Sequence, residues 1–188
     1  MKNIYIDHNK GERPYINLRV VRVESKVWDM FKNHHYMTQD MNKGATSLLF
    51  LWDDVPIGFV SYLSQPNKGK PHGIRLSRMV ILPDYQGLGL SSIMANFLAS
   101  IIQSLGEDYS IYRKTIHPKV GHFLENSPNW EPTAYNGKIR KSLDDEGDKY
   151  KNRLSRSSYC YKYIGKPLYG YESLLLPIKE MRNNKKKK

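Results

Sequence analysis

Met79-Val80-Ile81-Leu82-Pro83-Asp84-Tyr85-Gln86-Gly87-Leu88-Gly89-Leu90-Ser91 passes from an apolar strand pattern through a glycine-rich turn into a helical one. Met79 to Pro83 reads as the end of a strand, and the apolar spacing from Ser91 to Leu105 predicts a helix. A glycine turn at such a junction aims several backbone N–H groups at one spot beside a helix N-terminus, which is how a pyrophosphate is held without a metal. The stretch therefore points to a phosphate-bearing cofactor. Neither the dinucleotide fingerprint G-x-G-x-x-G with its later acidic residue nor the P-loop pattern G-x-x-x-x-G-K-S/T is present.

Working outward, Gln86-x-x-Gly89-x-Ser91 with the preceding Val80-Ile81-Leu82-Pro83 resembles the acyl-CoA loop of the GNAT acyltransferases, whose pattern is Gln/Arg-x-x-Gly-x-Gly/Ala. The resemblance is concentrated between Ser77 and Ile102. It implies that Gln86, Gly87, Leu88, Gly89, Leu90 and Ser91 cradle the CoA pyrophosphate. It also implies that Met79, Val80 and Ile81 offer their backbone to the pantetheine arm, with acetyl-CoA as the cofactor. Ser91 departs from the usual glycine or alanine, but it is small and a favourable N-cap for the helix that follows. The implied fold is α+β within the α/β group, a mixed central sheet of about six to seven strands flanked by helices.

The remaining sequence agrees with that order. Ile16 to Val23 predicts a first strand, and Ser25 caps a helix-like segment that bunches Val27, Trp28, Met30 and Phe31. Asn33 to Thr38 is too irregular for either period and reads as a loop facing substrate. Ser47 to Trp52 and Ile57 to Leu63 form a hairpin about Asp53-Asp54, and Ile74 to Leu82 is the fourth strand. Tyr109 to Ile116 is a fifth strand, and a short helix starts at His117-Pro118 and runs to about Asn126. Asn129 to Arg153 reads as a long charged excursion, Ser157 to Ile164 as a strand and Tyr169 to Leu175 as a last edge strand. No internal repeat is visible, so residues 1–178 are expected to form one domain and 179–188 a basic tail.

A chain of 188 residues can bury a full core. No apolar run approaches the ~20 residues of a membrane span, and Met1 to His8 lacks the apolar region of a signal peptide. A cytoplasmic location, with no membrane partner, is the expectation. The lone Cys160 has no Cys or His at metal-ligand spacing, so no metal site is expected and the thiol reads as a packed strand residue. A formal charge of +12 favours an anionic partner, whether nucleic acid, acidic protein or CoA itself. The run Lys185 to Lys188 reads as either a solubilising tail or a nucleic-acid contact. Arg113, Lys114, Lys138, Arg140, Lys141, Arg153 and Arg156 are candidates for a basic rim, while Tyr159, Tyr161 and Tyr163 share one strand face and read as packing.

In the GNAT family a tyrosine on the helix after the fifth strand usually protonates the departing thiolate. Phe123 or Leu124 stands near that position here, so the usual acid is missing from its place. His117, beside the point where the sheet of this family splays to admit CoA, is the first substitute, because imidazole takes and gives protons near neutrality. His35 and Tyr36 in the substrate-side loop are the next catalytic candidates. Ser77 and Arg78 stand just before the pantetheine strand, where Arg78 is suited to an anionic substrate or a phosphate.

The leading expectation is thus an N-acyltransferase that moves an acyl group, acetyl by preference, from acyl-CoA to an amine on a protein, small molecule or nucleic acid. A second reading is DNA-base modification, since the His34-His35-Tyr36-Met37 loop, Ser77-Arg78, Thr115-Ile116-His117-Pro118 and Asn129-Trp130 look like features of phage-encoded GNAT-like proteins of the Mom type. A catalytically silent binding domain is the third.

Overall fold

The computed structural model describes residues 2–6, 16–36, 39–66, 69–138 and 157–178. The expected basic tail and most of the 129–153 excursion lie outside these residues.

The described residues form one sheet of eight strands flanked by helices. In chain order the strands are β1 (Lys2–Ile6), β2 (Ile16–Val23), β3 (Thr46–Trp52), β4 (Val55–Ser64), β5 (His72–Ile81), β6 (Tyr109–Thr115), β7 (Trp130–Pro132) and β8 (Tyr159–Tyr163). Their spatial order is β1-β2-β3-β4-β5-β6-β8-β7. Every pairing is antiparallel except β5 with β6, the one crossover long enough to need a helix between parallel strands. That helix is α1 (Leu90–Gln103), and α2 (Pro118–Glu125) follows β6.

Helix α1 shows why the fold closes where it does. Leu90, Met94, Phe97, Leu98, Ile101 and Ile102 recur at helical spacing and all are buried against the sheet. Each such side chain contributes roughly 1.5–3 kcal/mol by leaving water. Leu124 of α2 and Tyr161 and Tyr163 of β8 join the same cluster, so these two tyrosines pack as expected. The opposite sheet face is covered by Trp28 and Phe31, which meet Leu49, Leu51, Phe59 and Val80.

The sheet exceeds the expected six to seven strands because β1 and β7 were not foreseen. Strand β7 spans three residues inside the charged excursion and pairs with β8 from Trp130↔Tyr163 to Pro132↔Tyr161. The expected edge strand at Tyr169 to Leu175 is instead a turn and a 3-10 helix over Glu172–Leu175. The Glu172 carboxylate accepts the Gly170 N–H at 2.9 and 3.0 Å, folding the chain back, and Leu174 is buried in the core. The helix-like segment after β2 is two 3-10 turns, Ser25–Met30 and Lys32–His34, preceded by Glu24 rather than capped by Ser25. Ser91 is likewise not the cap of α1. Gly89 holds that place with φ 76°, a left-handed conformation that glycine adopts without a Cβ penalty.

Candidate active site

Two features of β5 open the sheet. Between Val60↔Met79 and Tyr62↔Leu76, β5 carries one residue more than β4, a bulge at Ser77 and Arg78 opposite Ser61. The buried Ser61 hydroxyl accepts the Arg78 backbone N–H at 3.0 Å, satisfying a group the bulge takes out of the ladder. Pairing of β5 with β6 stops at the same level, at Leu76↔Arg113. Beyond it β5 stays with β4 and β6 with β8, so the two parallel strands diverge.

A cleft of about 460 Å³ lies in and around this opening. Ser77, Arg78, Met79, Val80 and Ile81 line it along β5, Gln86, Gly87, Gly89, Leu90 and Ser91 at one end, and His35, Tyr36 and His117 also face it. Sequence reasoning thus named residues far apart in the chain that the fold brings to one place. Leu88 is the exception: it is 41% exposed and outside the lining.

In the glycine loop the Gln86 side-chain amide donates to the Ile81 carbonyl at 2.9 Å, clamping the turn to the end of β5. Gly87 and Gly89 have φ of 85° and 76°. The backbone N–H groups from Gly87 to Ser91 have no partner among the described residues, and no atom stands within 4 Å of where a Cβ would sit on either glycine. Open amides, bare glycine faces and the N-terminus of α1 converge there, an arrangement that fits a pyrophosphate.

At the other end, the Tyr36 hydroxyl lies 3.3 Å from Thr115 Oγ1, which also accepts the His117 backbone N–H at 3.0 Å. The Tyr36 ring meets His117 edge-on with centroids 5.5 Å apart and lies 5.0 Å from the His35 ring. His117 is the N-cap of α2 and its Nδ1 is buried without a partner among the described residues. Trp28 fixes the adjoining loop by packing on His35 and donating from Nε1 to the Gln39 carbonyl at 2.5 Å. Phe123 and Leu124, near the place of the usual tyrosine, pack into the core and do not line the cleft.

Arg78 faces the cleft, but its Nε and Nη2 both donate to the Asp40 carbonyl, at 3.1 and 2.5 Å. These contacts hold the 39–40 loop to β5 rather than leaving the guanidinium fork open. Arg113 was read as part of a basic rim; the structure instead buries it at the closed end of the divergence, 6% exposed, beside Met79. Alternation with Ile111 and Thr115 on β6 was the signal for this placement. Thr115 was also missed as the hub between Tyr36 and His117. Arg140, Lys141, Arg153 and Arg156 lie outside the described residues.

A parallel pair that diverges beside a glycine turn, with an α-helix starting on that turn, is the arrangement that the GNAT resemblance implies. The family model for the acetyltransferase (GNAT) family matches residues 17–118, more than half of the chain, and the protein belongs to that family. The ribosomal-protein-S18-alanine N-acetyltransferase from Escherichia coli superposes with a TM-score of 0.56 at 12% identity, covering 81% of this chain and 99% of that one. Arabidopsis thaliana Naa50 in complex with the bisubstrate analogue CoA-Ac-MVNAL gives 0.55 at 14% identity, with 77% and 97% covered. Spermidine/spermine N-acetyltransferase SpeG from Vibrio cholerae gives 0.55 at 11% identity, with 77% and 91% covered. At these identities the superpositions establish the fold alone. No curated protein sequence matches the chain. None of the helices among the described residues is long and apolar enough to cross a membrane.

Proposed function

We propose that the protein is an acetyl-CoA-dependent N-acetyltransferase acting on an amine. The observation that carries this reading is the convergence of an open-amide glycine loop and a Tyr36–Thr115–His117 cluster at the two ends of one cleft. The backbone from Gly87 to Ser91 would hold the pyrophosphate, and β5 from Met79 to Ile81 would run beside the pantetheine. Acetyl-CoA supplies a thioester carbonyl open to attack by an amine.

The residues supply the proton transfers. His117 takes the proton that an attacking amine must lose, a role for which neutral imidazole is suited near pH 7. Tyr36 donates its hydroxyl proton to the thiolate that departs, replacing the helix tyrosine that Phe123 and Leu124 do not provide. Thr115 keeps the Tyr36 hydroxyl and the start of α2 in fixed relation, and the His35 ring lies tilted against the tyrosine.

Calorimetric titration with acetyl-CoA tests the reading, comparing the native chain with Gly89→Trp, whose indole would fill the cradle. Saturable binding that the substitution abolishes in a folded protein supports it. An absence of binding at high micromolar acetyl-CoA would sink it and leave a silent GNAT-like domain. The family match and the superpositions bear on the acetyltransferase part of the reading and not on the Mom-type likeness.

A further inference from the structure

We infer that the acceptor is a small amine carrying a carboxylate, and that Arg113 is the residue that receives that carboxylate. The inference rests on the acetyltransferase reading and names the substrate class of the same cleft.

Arg113 is a buried cation without a counter-ion among the described residues. Its side chain lines the cleft; among the described residues its Nη1 has no hydrogen-bond partner and its Nη2 reaches the Met79 thioether alone, at 3.3 Å. Burial pushes the guanidinium down to about 10, with the Tyr36 phenol offsetting the effect only in part. Uncompensated charges of this kind are costly, and apolar replacements of similar volume are often more stable. Folding therefore gives no reason for an arginine here, whereas an incoming anion does.

Position excludes the cofactor's phosphates as that anion. Arg113 pairs with Leu76, while the glycine loop begins after Ile81. At ~3.3 Å per residue the Arg113 backbone lies roughly 15 Å along the strand from the start of the loop, and its guanidinium is turned to Met79 within the strand rather than to the loop amides. Its neighbours are instead the groups that handle the reacting amine, with Thr115 two residues along β6 and Tyr36 bonded to it.

Charge and shape narrow the acceptor further. Arg78, Arg113, Lys114 and Lys119 line the cleft, and no Asp or Glu does among the described residues, so a polycationic amine would meet only like charge. A phosphodiester on a polymer backbone cannot follow the chain down to a guanidinium that is 6% exposed. A free carboxylate can. A thioether is a weak acceptor on a flexible stem, so a carboxylate would displace Met79 from Nη2 and take up Nη1 in the same bidentate contact.

The test uses matched amine pairs, phenylalanine with phenethylamine, lysine with cadaverine and β-alanine with ethylamine, and reads release of free CoA thiol from acetyl-CoA. Expected is a kcat/KM at least about tenfold higher for the carboxylate members, a preference that collapses in Arg113→Met. Equal rates within pairs, a preference that survives Arg113→Met, or no turnover of any carboxylate member would overturn the inference. So would transfer of labelled acetyl to an oligonucleotide in preference to all of them. Acetyl-CoA binding is measured alongside by calorimetry. If it is absent the acetyltransferase reading has failed, and if it is present without discrimination only the carboxylate has. A binding role is separated from a structural one because Arg113→Met should melt no lower than the native chain.

Discussion

The Tyr36 hydroxyl stands 3.3 Å from Thr115 Oγ1, joining residues 79 positions apart across the mouth of the divergence between β5 and β6. Because Thr115 also accepts the His117 backbone N–H, one hydroxyl sets the relation between a loop on one side of the sheet and a helix that begins on the other. Tyr36→Phe keeps the ring contacts with His35 and His117 and removes only the donor. The expected result is a fall in kcat of roughly 10²-fold, the scale of a lost general acid, with KM for acetyl-CoA unchanged. Since Tyr36 is 52% exposed, its melting temperature should move little; thiol-release kinetics beside a thermal melt distinguish the two effects.

Arg113 provides a stability prediction opposite in sign to most core substitutions. Burial lowers its folded-state pKa to about 10, so the folded protein binds the proton less well than the unfolded chain. The penalty is fully present below about pH 10 and is relieved as pH rises above it, the direction in which stability should increase. Arg113→Met is therefore expected to gain roughly 1–3 kcal/mol at neutral pH, a rise in Tm of about 3–10 °C. A lower Tm would mark the guanidinium as structural.

Gly121 of α2 approaches β8 with no room to spare. A Cβ there would lie 2.4 Å from the Tyr159 ring. Gly121→Ala should cost about 1–3 kcal/mol through overpacking, read as a lowered urea midpoint. His117 begins the same helix, so kcat should fall with stability.

At Gly89 the neighbours are absent and the cost comes from φ 76°. Gly89→Ala is expected to lose about 1 kcal/mol of stability and to weaken acetyl-CoA binding, because the loop amides must re-aim if the residue leaves the left-handed region. Calorimetry that finds native affinity in Gly89→Ala would place the cradle elsewhere.

What the chain discloses locally, it discloses well. The strand, glycine turn and helix around Met79 to Ile102 are set by contacts a few residues apart, and β2, the Asp53-Asp54 hairpin and the His117-Pro118 helix start fall where periodicity and turn chemistry place them. The misses are settled by distant partners. Strand β7 exists because β8 offers it an edge, and three residues ending in proline carry no strand signal of their own. Leu174 is drawn into the core and pulls its segment off the sheet edge. Arg113, flanked by Tyr112 and Lys114, reads locally as a solvated strand residue; only its alternation with Ile111 and Thr115 betrays the inward side. Of the cleft, the glycine-loop end was thus legible from one contiguous stretch, whereas the end at Tyr36, Arg113 and Thr115 is assembled by topology.

The bulge on β5 makes the site a matter of length as well as composition. Ile74 and Leu76 face the α1 side before it, and Met79 and Ile81 join the same cluster after it. With Ser77 or Arg78 deleted, those four positions would fall into unbroken alternation, and the strand could lie straight beside β4 and continue its ladder with β6. The core would lose no side chain from its count, yet the two strands would have less reason to part. One extra peptide unit thus separates a closed sheet from an open one, so indel variation at these two positions is the route by which this scaffold could gain or shed an interior while leaving its hydrophobic pattern intact.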